Sequence, residues 1–348
     1  MDLKNVISSV ILPDKDVEKL AWARLDSLTK PQRSLGMLEE CAVKYVAARG
    51  DINASIEKAT VLTFAGDHGV AEEGVSAFPQ EVTAQMVANF ASGGAAVNVL
   101  AKLEDVTVRI IDAGVAADCP FQGVIQRKVA RGTANFTKGP AMSVEDAQKA
   151  IFIGIEEAWK AIDEGATLIA TGDMGIANTT ASTALYSAFL DIPPRDITGR
   201  GTGIDEHRLI RKIQTIEEAI NVNCSRLNSP LEIMAALGGF EIAGICGAVI
   251  GAAARKVPVV IDGFISGAAA LCAIKLNRDI ASYCFFGHLS ADSGHRRIMG
   301  EIGVKPLLDL DMRLGEGTGA VLAIHIIRAG LKIMREMATF EQAGVSKS

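Results

Sequence analysis

Six short apolar runs, each closing on a Gly-containing turn with Asp, His or Glu, constrain this chain more than any other feature. Residues 60–64 end in Ala65-Gly66-Asp67-His68-Gly69, and residues 106–111 end in Asp112-Ala113-Gly114. Residues 167–170 lead to Thr171-Gly172-Asp173, residues 257–261 to Asp262-Gly263, and residues 283–286 to Gly287-His288. The sixth run, residues 307–310, precedes Arg313-Leu314-Gly315-Glu316-Gly317-Thr318-Gly319. Runs this short between turn signals read as buried strands. Apolar patterns of helical length separate most of them. Strands alternating with helices predict right-handed crossovers and a doubly wound, largely parallel sheet flanked by helices, a Rossmann-like α/β fold. Polar residues then collect at the carboxyl ends of the strands, where open sheets bind ligands.

The flanks read differently. Residues 1–58 show no strand run; residues 17–27 and 35–49 mix apolar and charged positions around a polar linker holding Pro31. This predicts a helical small-domain segment over 1–58 and an α/β domain over 59–318. Residues 319–348 are then a C-terminal helix returning to the small domain, with Val321, Leu322, Ile324, Ile327 and Leu331 at helical spacing. The most apolar stretch, Ile242 to Ala254, is too short for a membrane span and fits a buried helix. The N-terminus has no basic region or cleavage site, so no signal peptide is read. A net charge of −6 and a pI near 5.5 argue against nucleic-acid binding. They remain compatible with a phosphorylated substrate, because helix N-termini bind phosphate locally. Six scattered cysteines without a CxxC pair suit reduced thiols in the cytoplasm.

Several loops carry candidate chemistry. Glu316 sits at the crown of a three-glycine turn just before a helix, where a carboxylate is either a general base or a partner of the helix dipole. In GDMGIANTT the backbone of Gly175, Ile176 and Asn178 and the hydroxyl of Thr179 suit a phosphate. Asp173 would repel that phosphate and faces a hydroxyl or a developing cation instead. The loop GRGTGID, with Gly203, closes over the same ligand. Lys212, on the helix that follows, reaches an anion or lies on a solvated face. Ser290, in GHLSADSGH, reads as a second anion-contacting turn. Ser76, Phe78 and Met86 either wall an apolar slot for a flat ring or pack the core. The histidines show no metal-ligand spacing, so no metal and no cofactor are expected.

Seven motifs occur together and in order: FAGDHGVAEEGVSAFPQEVT, GDMGIANTT, GRGTGID, ALGGFEIAG, VIDGFISGAAA, GHLSADSGH and LDLDMRLGEGTGA. In these the chain resembles the nicotinate-nucleotide:5,6-dimethylbenzimidazole phosphoribosyltransferases, which make the lower ligand of cobalamin. The resemblance runs from about Ala21 to Met334. It implies transfer of phosphoribose from nicotinate mononucleotide to 5,6-dimethylbenzimidazole, with inversion at C1. It implies Glu316 as proton acceptor, Gly175 and Ser290 on phosphate, and Lys212 and Asp173 near the ribose. It places Arg313, beside Leu314 and Gly315, near the nicotinate carboxylate. The family commonly has Glu where this chain has Asp173, Gly where it has Ala177, and a small polar residue in place of Phe78. The less polar slot at Phe78 keeps open a relative that ribosylates a phenol or cresol. A non-catalytic partner subunit is the reading from a different class. A homodimer is expected, with a heterodimer of related subunits as the alternative.

Overall fold

The computed structural model describes residues 2–201 and 203–346. Thr202, within the GRGTGID loop, and the last two residues of the 319–348 segment lie outside the described residues.

Three helices come first: α1 (Leu3–Ser8), α2 (Lys15–Asp26) and α3 (Met37–Arg49). The strands are β1 (Ala59–Gly66), β2 (Val106–Gly114), β3 (Val124–Gln126), β4 (Leu168–Met174), β5 (Val259–Ile261), β6 (Cys284–Phe286), β7 (His288–Leu289) and β8 (Leu308–Asp309). Between and after them run α4 (Val82–Ala91), α5 (Ala96–Leu103), α6 (Val144–Asp163), α7 (Asn178–Leu190), α8 (Glu206–Val222) and α9 (Pro230–Leu237). These are followed by α10 (Phe240–Ala254), α11 (Phe264–Leu276), α12 (His295–Glu301) and α13 (Thr318–Glu336).

The main sheet has the order β3-β2-β1-β4-β5-β6 with every pairing parallel. This is the doubly wound arrangement, with the order reversing between β1 and β4. Every residue of β1 is buried, so apolar side chains serve both faces. Leu62 and Phe64 join the core beneath α6, α7, α10 and α11, whereas Val61 and Ala65 join the core beneath α3, α5 and α13.

The sixth apolar run departs from its expected place. Residues 307–310 give only the two-residue β8, which pairs with β7 in a separate parallel ribbon. The sixth strand of the main sheet is β3, a half-exposed edge strand that the apolar pattern does not mark. Residues 242–254 fall, as expected, within a buried helix: every position of α10 is buried except Ala254. A Cβ on Gly154 of α6 would lie 1.8 Å from the Gly244 carbonyl of α10, and one on Gly247 would lie 1.9 Å from the Ile151 carbonyl. The two helices therefore touch backbone to backbone, which glycine alone permits. The N-terminal helices clasp the end of α13, where Arg24 donates to the carbonyls of Met334 (3.0 Å) and Met337 (2.8 Å).

Candidate active site

Loops at the carboxyl ends of β4, β5, β7 and the β8–α13 connection surround one cleft. It holds about 670 Å³ of empty space including its open mouth. The expected residues Asp173, Gly175, Ile176, Asn178, Thr179, Ser290, Arg313, Leu314 and Gly315 all line it. Asp262, Phe264, Ile265, His288 and Asp292 line it as well, and were not singled out from the sequence.

One wall is suited to an anion. α7 starts at Asn178 directly after the β4 loop, and the N–H groups of Asn178 and Thr180 turn back to the carbonyls of Gly175 and Ala177 at 3.1 and 2.9 Å. Ser290 is held by its own turn: its N–H donates to His295 Nδ1 at 2.8 Å, and its Oγ accepts from Asp292 N at 3.2 Å. Burial holds His295 neutral, with its pKa down to about 3. Lys212 is not on a solvated face. It is 1% exposed and donates to Thr179 Oγ1 at 2.8 Å and to the Gly199 carbonyl at 3.3 Å. Burial lowers its pKa to about 8, against the pull of Asp292. Arg313 Nη1 reaches the Gly201 carbonyl at 3.0 Å, which ties the GRGTGID loop to the cleft mouth. Gly203 is exposed and does not line the cleft; it borders a neighbouring hollow with Arg200 and Arg313.

Adjoining that wall is a buried acidic region. Asp173 accepts from Asn178 Nδ2 at 3.1 Å. Burial, with Asp262 and Glu241 adding like charge, holds its pKa well above the carboxylate range. Glu316 follows cleft-lining Gly315 but does not itself line the cleft, and is 4% exposed. Its carboxylate does not cap its own helix. Oε2 accepts from Val97 N of α5 at 3.4 Å, while the α13 N-terminus is served by Asp262. Burial raises the Glu316 pKa, the Val97 bond lowers it, and Asp262 raises it further, for a net rise.

Ser76, Phe78 and Met86 do not line this cleft. Ser76 and Phe78 lie in the segment leading into α4 and Met86 lies within it; Thr83 Oγ1 of α4 accepts from Ile176 N at 3.1 Å, so that helix abuts the β4 loop. Phe78 is 50% exposed and Met86 half-buried. Behind Gly175 lies a second polar cluster that the sequence hid. His68 and Glu241, 173 positions apart, meet at 2.5 Å with no exposure. Burial opposes charge on His68, but the Glu241 carboxylate outweighs it and raises the pKa. Among the described residues no group of His, Cys, Asp and Glu is arranged to hold a metal ion.

Residues 10–345 match a protein family described as phosphoribosyltransferase. The nicotinate-nucleotide–dimethylbenzimidazole phosphoribosyltransferase of Chlorobaculum parvum (strain DSM 263 / NCIMB 8327) is 54% identical over 344 residues, covering 99% of this chain and 98% of that protein. The crystal structure of CobT from Thermus thermophilus superposes with a TM-score of 0.91 at 46% identity, covering 96% of this chain and all of that one. A second structure from the same organism, named as a nicotinate-nucleotide–dimethylbenzimidazole phosphoribosyltransferase, gives 0.90 with the same identity and coverage.

Proposed function

This chain belongs to the nicotinate-nucleotide–dimethylbenzimidazole phosphoribosyltransferase family, and from that premise we propose how its cleft carries out the transfer. The reaction moves phosphoribose from nicotinate mononucleotide to 5,6-dimethylbenzimidazole, giving α-ribazole 5′-phosphate and nicotinate. The pyridinium leaves C1 as a neutral pyridine, so the C–N bond needs no further activation. A benzimidazole ring nitrogen attacks C1 from the opposite face, and configuration inverts. The other ring N–H then becomes acidic and passes its proton to Glu316. The phosphate sits on the α7 N-terminus with Gly175, Thr179 and Ser290, beside Lys212. Asp173 faces the ribose hydroxyls, and Arg313 and Leu314 face the nicotinate.

The observation that carries this reading is the placement of Glu316: a carboxylate 4% exposed, next to cleft-lining Gly315, with its N–H on the carbonyl of cleft-lining Asp173 at 3.2 Å. The departure from the family at Phe78 is what leaves a phenol or cresol as the alternative acceptor, which Glu316 would equally have to deprotonate; Phe78 itself stands 50% exposed outside the cleft. Supplying nicotinate mononucleotide with each aromatic, and identifying the α-ribotides by mass and NMR, decides between them. Turnover of the phenol alone overturns the benzimidazole assignment. The family resemblance implies a homodimer in which the helical N-terminal segment reaches the neighbour's active site, and exposed Ile11, Leu12 and Leu20 on that segment suit it. Full activity of a species of monomer mass at micromolar concentration would exclude it. Six free cysteines, five of them buried, suit a reducing cytoplasm.

A further inference from the structure

Glu316 is held in a conformation that side chains avoid. Its φ is 68°, and its neighbours Gly315 and Gly317 are also left-handed, at 85° and 101°. Such a run persists only where the surroundings over-determine it. Several restraints hold the loop here, among them Thr318, whose N–H and Oγ1 donate to the Gly315 carbonyl at 3.1 and 2.8 Å. Thr63 Oγ1 donates to the Glu316 carbonyl at 3.0 Å, and Glu316 N donates to the Asp173 carbonyl at 3.2 Å. On the other side stands Asp262, at the end of β5 and 1% exposed. Its Oδ2 accepts from Gly317 N at 3.1 Å and its Oδ1 from Ala320 N at 2.8 Å. The N-cap residue of α13 is Gly317, which has no side chain with which to cap. Asp262 supplies that cap from a neighbouring strand.

Asp262 has a neighbour of its own. His288 Nε2 lies 3.8 Å from Oδ1, beyond hydrogen-bond reach, and neither of its ring nitrogens has a partner. The ring fills space left by two glycines: a Cβ on Gly263 would lie 2.7 Å from Nε2, and one on Gly319 would lie 1.9 Å from Cδ2. His288 is thus packed against the same helix end that Asp262 caps.

We propose that Asp262, backed by His288, is a positioning residue for Glu316: its carboxylate caps α13 from outside the helix and so fixes the aim of the Glu316 carboxylate at the cleft. The proposal rests on reading Glu316 as the proton acceptor. Titratable groups reach Glu316 from two strands, Asp173 from β4 and Asp262 from β5, with His288 behind the latter. From α5 and β1 it meets only the Val97 N–H and the Thr63 hydroxyl. Neutralising Asp262 therefore has two separable effects. Loss of the cap lets the loop relax, which lowers kcat. Loss of the charge removes one influence that raises the Glu316 pKa, which moves the acid limb of activity to lower pH.

The test uses the full chain with nicotinate mononucleotide and 5,6-dimethylbenzimidazole. Asp262→Asn and Asp262→Ser are compared with wild type and Glu316→Gln for kcat, KM, the pH profile of kcat/KM and thermal melting. We expect kcat to fall on the order of ten- to a hundredfold, as for a small misplacement of a reacting group. KM for the nucleotide should change far less, and the acid limb should shift downward. A kcat within twofold of wild type, or a limb that stays or rises, overturns the proposal. So does a KM that climbs while kcat holds, which would make Asp262 a substrate ligand. Loss of the cooperative melt in both variants would make it a residue of the fold, and equally ends the proposal. Failure of the underlying reading looks different: wild type without turnover, or Glu316→Gln with full kcat.

Discussion

Two loops flank the cleft, and each forces a residue with a side chain into the left-handed region just ahead of a helix. Ala177, with φ of 74°, is the N-cap of α7; Glu316, with φ of 68°, precedes the N-cap of α13. Both are buried and both follow a glycine-containing turn. For most residues this conformation costs about 1–2 kcal/mol. At Glu316 the cost comes with a carboxylate that no glycine can supply. At Ala177 it comes with a methyl group that adds no polar group. The same backbone shape thus carries the proposed proton acceptor in one loop and an apolar methyl group in the other.

The sharpest way to break this contrast is Glu316→Gln. The amide keeps the shape of the loop but cannot take a proton, so kcat should fall on the order of a hundred- to ten-thousandfold. The wild-type acid limb of kcat/KM should lie above the range of an ordinary carboxylate, because burial raises the Glu316 pKa and only the ionised form accepts a proton. Activity is then lost as pH falls through that raised value, and the limb should vanish in the Gln variant. Because the aromatic base titrates in mild acid as well, the reading is the difference between the two profiles. Near-normal kcat in Glu316→Gln would leave both strained residues without chemistry.

A smaller effect comes from the floor beneath Glu316. A Cβ on Gly172 would lie 2.2 Å from the Glu316 carbonyl and 2.7 Å from Thr63 Oγ1. Gly172→Ala changes no polar atom, yet it must push the loop outward. Steady-state kinetics should show kcat down by on the order of tenfold or more. Unchanged kinetics would mean that the aim of Glu316 does not matter. The smallest effect is at Ala177. Ala177→Gly should raise stability by about 1 kcal/mol, since the relieved strain exceeds what glycine's freedom costs in the unfolded chain. A lower melting temperature would show that the Ala177 methyl contributes packing, and would remove the contrast from which these tests begin.

How much of this was legible follows from how far each feature reaches. Strands that are buried on both faces announce themselves as apolar runs, and so β1, β2, β4, β5 and β6 were readable. Edge strand β3 pairs on one side only and keeps exposed positions, so its pattern is weak. The run at residues 307–310 was apolar enough to resemble a sheet strand, but Leu310 is 54% exposed and only β7 is there to pair with. In the cleft, residues next to glycine-rich turns stood out because backbone and chemistry share a few positions. Asp262 and the pair His68 and Glu241 act through partners distant in the chain, and such partners also bury Lys212, whose candidacy the sequence did mark. No local spacing encodes such contacts. For Asp262 the available signal was its place at a strand end beside a glycine.

The backbone contact between α6 and α10 has a consequence for synthesis rather than for catalysis. A helix with almost no solvated face cannot rest on water in any orientation. α10 leaves the ribosome well after α6, and until the two meet it presents an apolar cylinder to the cell. Chains of this size expose such surfaces while folding, and aggregate through them. The glycines that seat α10 against α6 are what let that apolar cylinder be covered at backbone contact once both helices exist. A bulkier residue at Gly154 or Gly247 would appear first as insoluble product, before any assay of the cleft could be made.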